Sequence, residues 1–194
     1  MATKVGIFGG SFNPVHNGHI ALAEALVRQG VVDEVWLTLS PLNPLKAEST
    51  ELVSDADRLA MLRLATANSP GLKVCDIELS LPRPSYTIST LHALSRLYPD
   101  ISFRLIIGAD NRLIFHKWKD YGEIDQLYAP IVYPRPGYPC AEALDMEVHD
   151  ISSTEIRRKF QSSQPDMTEL NNLLPQGVTD YIREHRLYAA DPMI

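Results

Sequence analysis

At 194 residues, 45% of them hydrophobic and 22% charged, the chain can bury a proper core and is too apolar to stay disordered. Its 18 basic against 24 acidic residues leave a net charge of -6, which argues against sequence-independent binding to nucleic acid. No apolar run reaches the roughly 18 to 20 residues of a bilayer span, the opening residues lack a signal peptide's apolar stretch, and two cysteines, Cys75 and Cys140, are too few for a disulfide framework; a cytoplasmic location is expected.

The predicted elements, in chain order, begin with a short branched run from Val5 to Phe8 that reads as a buried parallel strand. A glycine-containing loop follows, then a helix-period segment from Ile20 to Val27. Val35 to Leu39 is a second strand, followed by the loop Ser40-Pro41-Leu42-Asn43-Pro44-Leu45-Lys46. Asp57 to Ala67 is helical, with Leu59, Leu62 and Leu64 marking its apolar face, and Ile88 to Leu97 is a further helix preceded by Pro84-Ser85-Tyr86-Thr87. Leu105 to Ile107 and Ile131 to Tyr133 are strands. After about Asp150 the pattern turns helical, in Thr154 to Phe160 and Val178 to His185, separated by a polar stretch containing Pro165 and Pro175. The fourteen prolines are dispersed, so no linker or repeat divides the chain. Alternating strands and helices imply an α/β fold, a Rossmann-like doubly wound parallel sheet with a small C-terminal helical cap. Residues 1–194 form one domain on this reading, with 151–188 as the helical region. Ligands of such sheets sit beyond the carboxyl ends of the strands, in the strand-to-helix loops.

The first such loop is Gly9-Gly10-Ser11-Phe12-Asn13-Pro14-Val15-His16-Asn17-Gly18-His19. It is neither the dinucleotide GxGxxG nor the GxxxxGK[ST] phosphate loop, and Asn13 stands where a GxSxG elbow needs its last glycine. Gly9 and Gly10 remove a Cβ from the ligand's path, and the helix start beyond them offers unpaired N-H groups and a partial positive charge. His16 and His19, three apart, can share one side of the first turn and donate to phosphate oxygens. The residues alone leave two other readings open: a zinc pair, for which no third ligand stands out, and histidines that cap a tight turn.

The string GxFxPxHxGH from Gly10 to His19 has six fixed positions and should arise by chance in roughly one in a million chains of this length. It resembles the signature of the HxGH nucleotidyltransferases, which move a nucleotidyl group from a triphosphate and release pyrophosphate. Ile151-Ser152-Ser153-Thr154-Glu155-Ile156-Arg157 resembles their second signature. Here Ser153 or Thr154 can cap a helix start that meets a phosphate while Arg157 supplies a fixed charge; an ordinary capped helix with an exposed Arg is the plain alternative. Pro84 to Leu91, the Ile107-Gly108-Ala109-Asp110 segment with Phe115-His116-Lys117-Trp118 after it, and the Ser40 to Lys46 loop extend the match from Lys4 to about Tyr188. Together they resemble bacterial nicotinate-nucleotide adenylyltransferases.

That resemblance implies ATP and nicotinate mononucleotide as substrates, with nicotinate adenine dinucleotide and pyrophosphate as products. It assigns His16, His19, Lys46 and Arg157 to catalysis. Gly9, Gly10, Ser11, Phe12, Gly18, Gly108, Asp110, Ile151, Ser153 and Thr154 fall to ATP, and Asn13, Ser85, Tyr86, Thr87 and Trp118 to the mononucleotide. The family's frequent Pro-His-Lys is Pro44-Leu45-Lys46 here, so any role of that His is absent or falls to Lys46. Without the family context, Trp118 reads equally as a core aromatic, Asp110 as a helix cap and Lys46 as a solvated loop charge. The attacking phosphate is already an anion, so no protein nucleophile is needed, and catalysis consists of positioning two anions and stabilising charge on the departing pyrophosphate. Mg2+ would come with the ATP, held by its phosphates rather than by a protein cage. The rivals are pantetheine-phosphate adenylyltransferase, which would share both signatures but not the SYT and GAD…W segments, and a regulator that binds nucleotide without catalysis. No nucleic acid or membrane partner is expected, and the sequence leaves the oligomeric state open.

Overall fold

A computed structural model describes residues 2–41 and 52–189. The strands β1 (Thr3–Gly10), β2 (Glu34–Leu39), β3 (Leu72–Cys75), β4 (Ile101–Gly108) and β5 (Ile131–Tyr133) pair in parallel, in the order β3-β2-β1-β4-β5. The chain winds outward from β1 to β3, then crosses back to place β4 on the other side of β1. The gap between the carboxyl ends of β1 and β4 is therefore the switch point at which doubly wound sheets open a crevice.

Alternation along each strand explains why the sequence shows continuous apolar runs instead of an apolar-polar alternation. Phe8, Val35, Leu37, Leu39 and Ile106 point into one core cluster, while Val5, Ile7, Trp36, Phe103, Leu105 and Ile107 point into another on the opposite face. Both faces are covered, so both sets must be apolar. The helices α1 (Asn17–Arg28) and α2 (Asp55–Thr66) supply Leu22, Leu26, Met61 and Leu62 to the first cluster, and α3 (Thr87–Leu97) supplies Ile88, Leu91 and Leu94 to the second. The short α4 (Ala109–Leu113) and α5 (Tyr121–Tyr128) follow β4, with Ile124 and Tyr128 buried against α3's side of the sheet.

The C-terminal helices α6 (Ser153–Phe160), α7 (Met167–Leu173) and α8 (Val178–Glu184) bury Ile156, Phe160, Leu170, Val178 and Ile182 in the first cluster, on the face of α1 and α2. Three elements have weak sequence signals. β3 is a four-residue edge strand carrying a lysine, α5 contains Gly122, and α7 occupies what the sequence reads as a polar stretch. For α7 a signal does exist: Asp166 accepts from the N-H groups of Thr168 and Glu169, an N-cap with Glu three residues on. No helix among the described residues is long and apolar enough to cross a membrane.

Candidate active site

A cavity of about 220 Å³ opens at the carboxyl ends of β1 and β4 and is closed on one side by the start of α3. Of the residues predicted to hold substrate, Gly9, Gly10, Ser11, Ser85, Tyr86, Thr87, Gly108 and Trp118 line it. A Cβ on Gly9 would meet nothing within 4 Å, so backbone and ligand can approach there. Gly10 serves a different purpose: its missing Cβ makes room for the Phe12 ring, 3.0 Å away.

Phe12, held at a φ of 44°, turns the chain from β1 toward α1, where the two histidines meet. The His16 and His19 rings stack with centroids 3.6 Å apart and an interplanar angle of 24°. The His16 backbone N-H donates to His19 Nδ1 at 3.2 Å. Nδ1 is thus an acceptor, and the neutral His19 ring carries its proton on Nε2, where it can be donated. Burial, then the positive charge of Arg135, depress the His16 pKa to about 4; burial, then His16 and Arg135, hold His19 well below its ordinary value. Both rings are therefore neutral donors at pH 7. Gly18 leaves room for this stack, since a Cβ there would lie 3.1 Å from His16 Nδ1 and 3.2 Å from the His149 carbonyl, closer than ordinary contact. No group of three or more His, Cys, Asp or Glu side chains among the described residues is placed to hold a metal.

The loop between the glycines and the histidines is held from behind by its carbonyls. Arg58 donates to the Ser11 carbonyl at 2.7 Å, Arg157 to that of Asn13 at 2.9 Å, and the Ser153 hydroxyl to that of Pro14 at 2.9 Å. Asn13 is buried, and its side-chain oxygen accepts from the Tyr188 hydroxyl at 2.8 Å and from the Val53 N-H at 3.3 Å. Asn13 thus ties the segment before α2 and the C-terminal segment to the loop. Arg157 also reaches the Thr154 hydroxyl at 3.4 Å, so the second signature packs directly against the first. The capping residue of α6 is Ser152, without a side-chain cap bond, in place of the predicted Ser153 or Thr154; the Ser153 hydroxyl is spent on Pro14 instead. Ile151 packs against the core beside this contact.

Across the cavity, α3 begins after Tyr86 with no side-chain cap, so its first N-H groups have no such partner. Trp118 packs on Phe115 with centroids 5.4 Å apart, and its indole nitrogen is buried without a hydrogen bond. Asp110 stands 3.8 Å from Arg135, and a Cβ on Gly108 would run into its carboxylate. Lys46 lies outside the described residues.

Several residues at the site carry no motif. Arg58 is fully buried on α2 and bonds the Ser11, Ser40, Pro41 and Val53 carbonyls as well as Asp55. Arg135, just beyond β5, is the cation whose field reaches both histidines. Glu78, Asn111 and Lys119 line the cavity, as does Lys117 from the segment that carries Trp118. A basic residue past the carboxyl end of a strand was a readable signal for Arg135; nothing local distinguishes Arg58 from an exposed helix arginine.

Residues 7–159 match the family described as cytidylyltransferase-like. A probable nicotinate-nucleotide adenylyltransferase from Bacteroides thetaiotaomicron is 42% identical over 190 residues, covering 94% of this chain and 92% of that protein. One from Bacteroides fragilis is 44% identical over 170 residues, covering 84% of each. Among solved structures, the Plasmodium falciparum nicotinic acid mononucleotide adenylyltransferase complexed with NaAD superposes with a TM-score of 0.77 at 19% identity, covering 96% of this chain and 97% of that one; this is a likeness of fold.

Proposed function

The chain belongs to the nicotinate-nucleotide adenylyltransferase family, and from that premise we propose that its cavity joins ATP to nicotinate mononucleotide, giving nicotinate adenine dinucleotide and pyrophosphate in NAD biosynthesis. The observation that carries this reading is the arrangement of one cavity between two anion-seeking ends: the uncapped start of α3, and the glycine loop that leads to two neutral, stacked imidazoles. Nicotinate would sit by Tyr86 and Thr87 with Trp118 beside the ring. The triphosphate would lie along Gly9 to Ser11, toward His16 and His19. The mononucleotide phosphate attacks the α-phosphorus, a new P-O bond forms, and the bond to the β-phosphate oxygen breaks to release pyrophosphate.

In that step His19 would donate from Nε2 to a phosphate oxygen, with Arg135 supplying fixed positive charge beside both rings. Arg157, braced on Asn13, would face the same phosphates, and Lys46 is assigned to them by sequence alone. Mg2+ bound to the ATP phosphates would neutralise part of their charge. Residues 1–194 would act as one nucleotidyltransferase domain, with 151–188 as its helical part, in the cytoplasm. The reading is tested by pyrophosphate release from ATP with nicotinate mononucleotide, nicotinamide mononucleotide or phosphopantetheine as acceptor. Turnover with the first is expected; turnover with phosphopantetheine alone, or with none, would overturn it.

A further inference from the structure

Glu78 sits in a short 3-10 turn, Ile77–Ser80, and is 7% exposed. One carboxylate oxygen accepts the Ser40 hydroxyl at 2.8 Å and the Ser85 hydroxyl at 3.1 Å; the other accepts the Thr90 hydroxyl at 3.0 Å. These donors come from the end of β2, the segment before α3, and α3 itself, and all four residues line the cavity. No Lys, Arg or His forms an ion pair with Glu78 among the described residues. Three neutral hydroxyls bring this buried carboxyl group hydrogen bonds but no formal positive charge, so a cation is the partner it lacks among the described residues.

The hydroxyls add a direction. Each has a single proton, and Ser40 and Ser85 give theirs to Glu78, so they can offer a ligand only lone pairs. This part of the wall is hostile to an anion and favourable to positive charge. The same cavity is also lined by Lys117 and Lys119, the latter with Nζ 4.7 Å from the centre of the Tyr86 ring. A wall with both signs of charge fits a ring with both: N-ribosylated nicotinate is a pyridinium cation bearing a carboxylate.

We propose that Glu78 is a specificity-determining residue that selects a positively charged pyridinium ring over a neutral ring of the same shape. This rests on the reading that the cavity takes the mononucleotide. The oxidised ring would be accepted, and the 1,4-dihydro ring, which has lost the positive charge but kept the carboxylate, would be discriminated against. The lysines and the start of α3 address the carboxylate, which both forms share, so discrimination between them falls to Glu78 and to the π face of Trp118, and only the Glu78 share is lost in a Glu78 variant.

The experiment compares kcat/KM for nicotinate mononucleotide and its 1,4-dihydro form in the wild type and in Glu78→Gln. A preference for the cationic ring of about tenfold or more is expected in the wild type, falling by about tenfold in the variant with the KM for ATP unchanged. A purely structural role would lower both substrates together and leave their ratio intact, which would overturn the proposal. Should the variant not fold, binding of N-methylnicotinate against 3-methylbenzoate to Trp118→Ala, where the indole's cation-π share is gone, isolates ring charge at constant shape and carboxylate. Tighter binding of the former supports the assignment, and equal binding refutes it. Absence of turnover would count against the proposed function, whereas the fragment pair reads the cavity's charge preference without turnover.

Discussion

Two imidazoles stacked at 3.6 Å repel each other if both are protonated, and the structure keeps His16 and His19 neutral by burying them beside Arg135. A neutral donor whose proton is held on Nε2 is preorganised for charge that grows during the reaction. Replacing His19 with Ala should therefore lower kcat by about 100- to 1,000-fold while changing mononucleotide binding little, and His16→Ala should behave similarly. Steady-state pyrophosphate release alongside calorimetric titration checks this; near-normal turnover in both variants would remove the histidines from the phosphate site. Arg157 poses a different question, since its guanidinium already grips the Asn13 carbonyl. Its Ala variant should raise the KM for ATP, and Lys, which keeps the charge but lacks the fork, should recover only part of the loss. Equal ATP dependence in wild type and Ala variant would mark an ordinary surface charge.

At the level of elements, the uncapped start of α3 would decide between acid and amide under the proposed function. A carboxylate accepts charge-assisted bonds from free N-H groups, each worth about 1.5 to 3 kcal/mol, whereas an amide can turn an NH2 toward those donors and brings no charge. The nicotinate form should be preferred by at least about tenfold in kcat/KM, and comparable values for acid and amide would refute the assignment. Trp118→Ala should raise KM for both, leaving the ratio nearly unchanged, because both rings can stack on the indole. Arg58 is the element-scale counterpart: from α2 it bonds carbonyls just past the end of β1 and just past the end of β2. Arg58→Met strands those buried carbonyls while Asp55 keeps Arg83 at 3.0 Å, so a loss of about 2 to 5 kcal/mol is expected in denaturant melts, with little recovery in Lys. A loss below about 1 kcal/mol would show that water replaces the guanidinium.

For the molecule as a whole, the buried histidines link folding to pH. The folded-state pKa of His16 is about 4 against 6.5 in the unfolded chain, so between those values the unfolded state binds more protons and stability falls as pH is lowered. His16 alone should account for a loss of order 3 kcal/mol, complete near pH 4, with His19 adding to it in the same direction. Urea melts from pH 7 to 4 measure this. The decline should be shallower in His16→Ala, and an unchanged slope there would mean that other groups control acid unfolding.

Much of this architecture is local information. Val5 to Phe8, Val35 to Leu39 and Ile131 to Tyr133 announce buried strands because a parallel sheet covered on both faces is apolar at nearly every position, Thr38 being the buried polar exception. The loop from Gly10 to His19 is legible because its glycines and histidines stand close in sequence, where a turn and one helical pitch set their geometry. The four-residue β3 and the five-residue α4 are too short for a period to emerge, and tertiary packing stabilises them. The sequence by itself thus determined the α/β alternation, the nucleotidyltransferase signatures and several of the segments that line the cavity. Only the tertiary structure decided which groups share a cavity, because that depends on contacts across the chain: Arg58 beneath the glycine loop 47 residues away, Tyr188 on Asn13 across 175 residues, and three hydroxyls converging on Glu78. No local pattern records such contacts, since long-range burial, rather than spacing along the chain, turns an arginine into a brace and a glutamate into a specificity element.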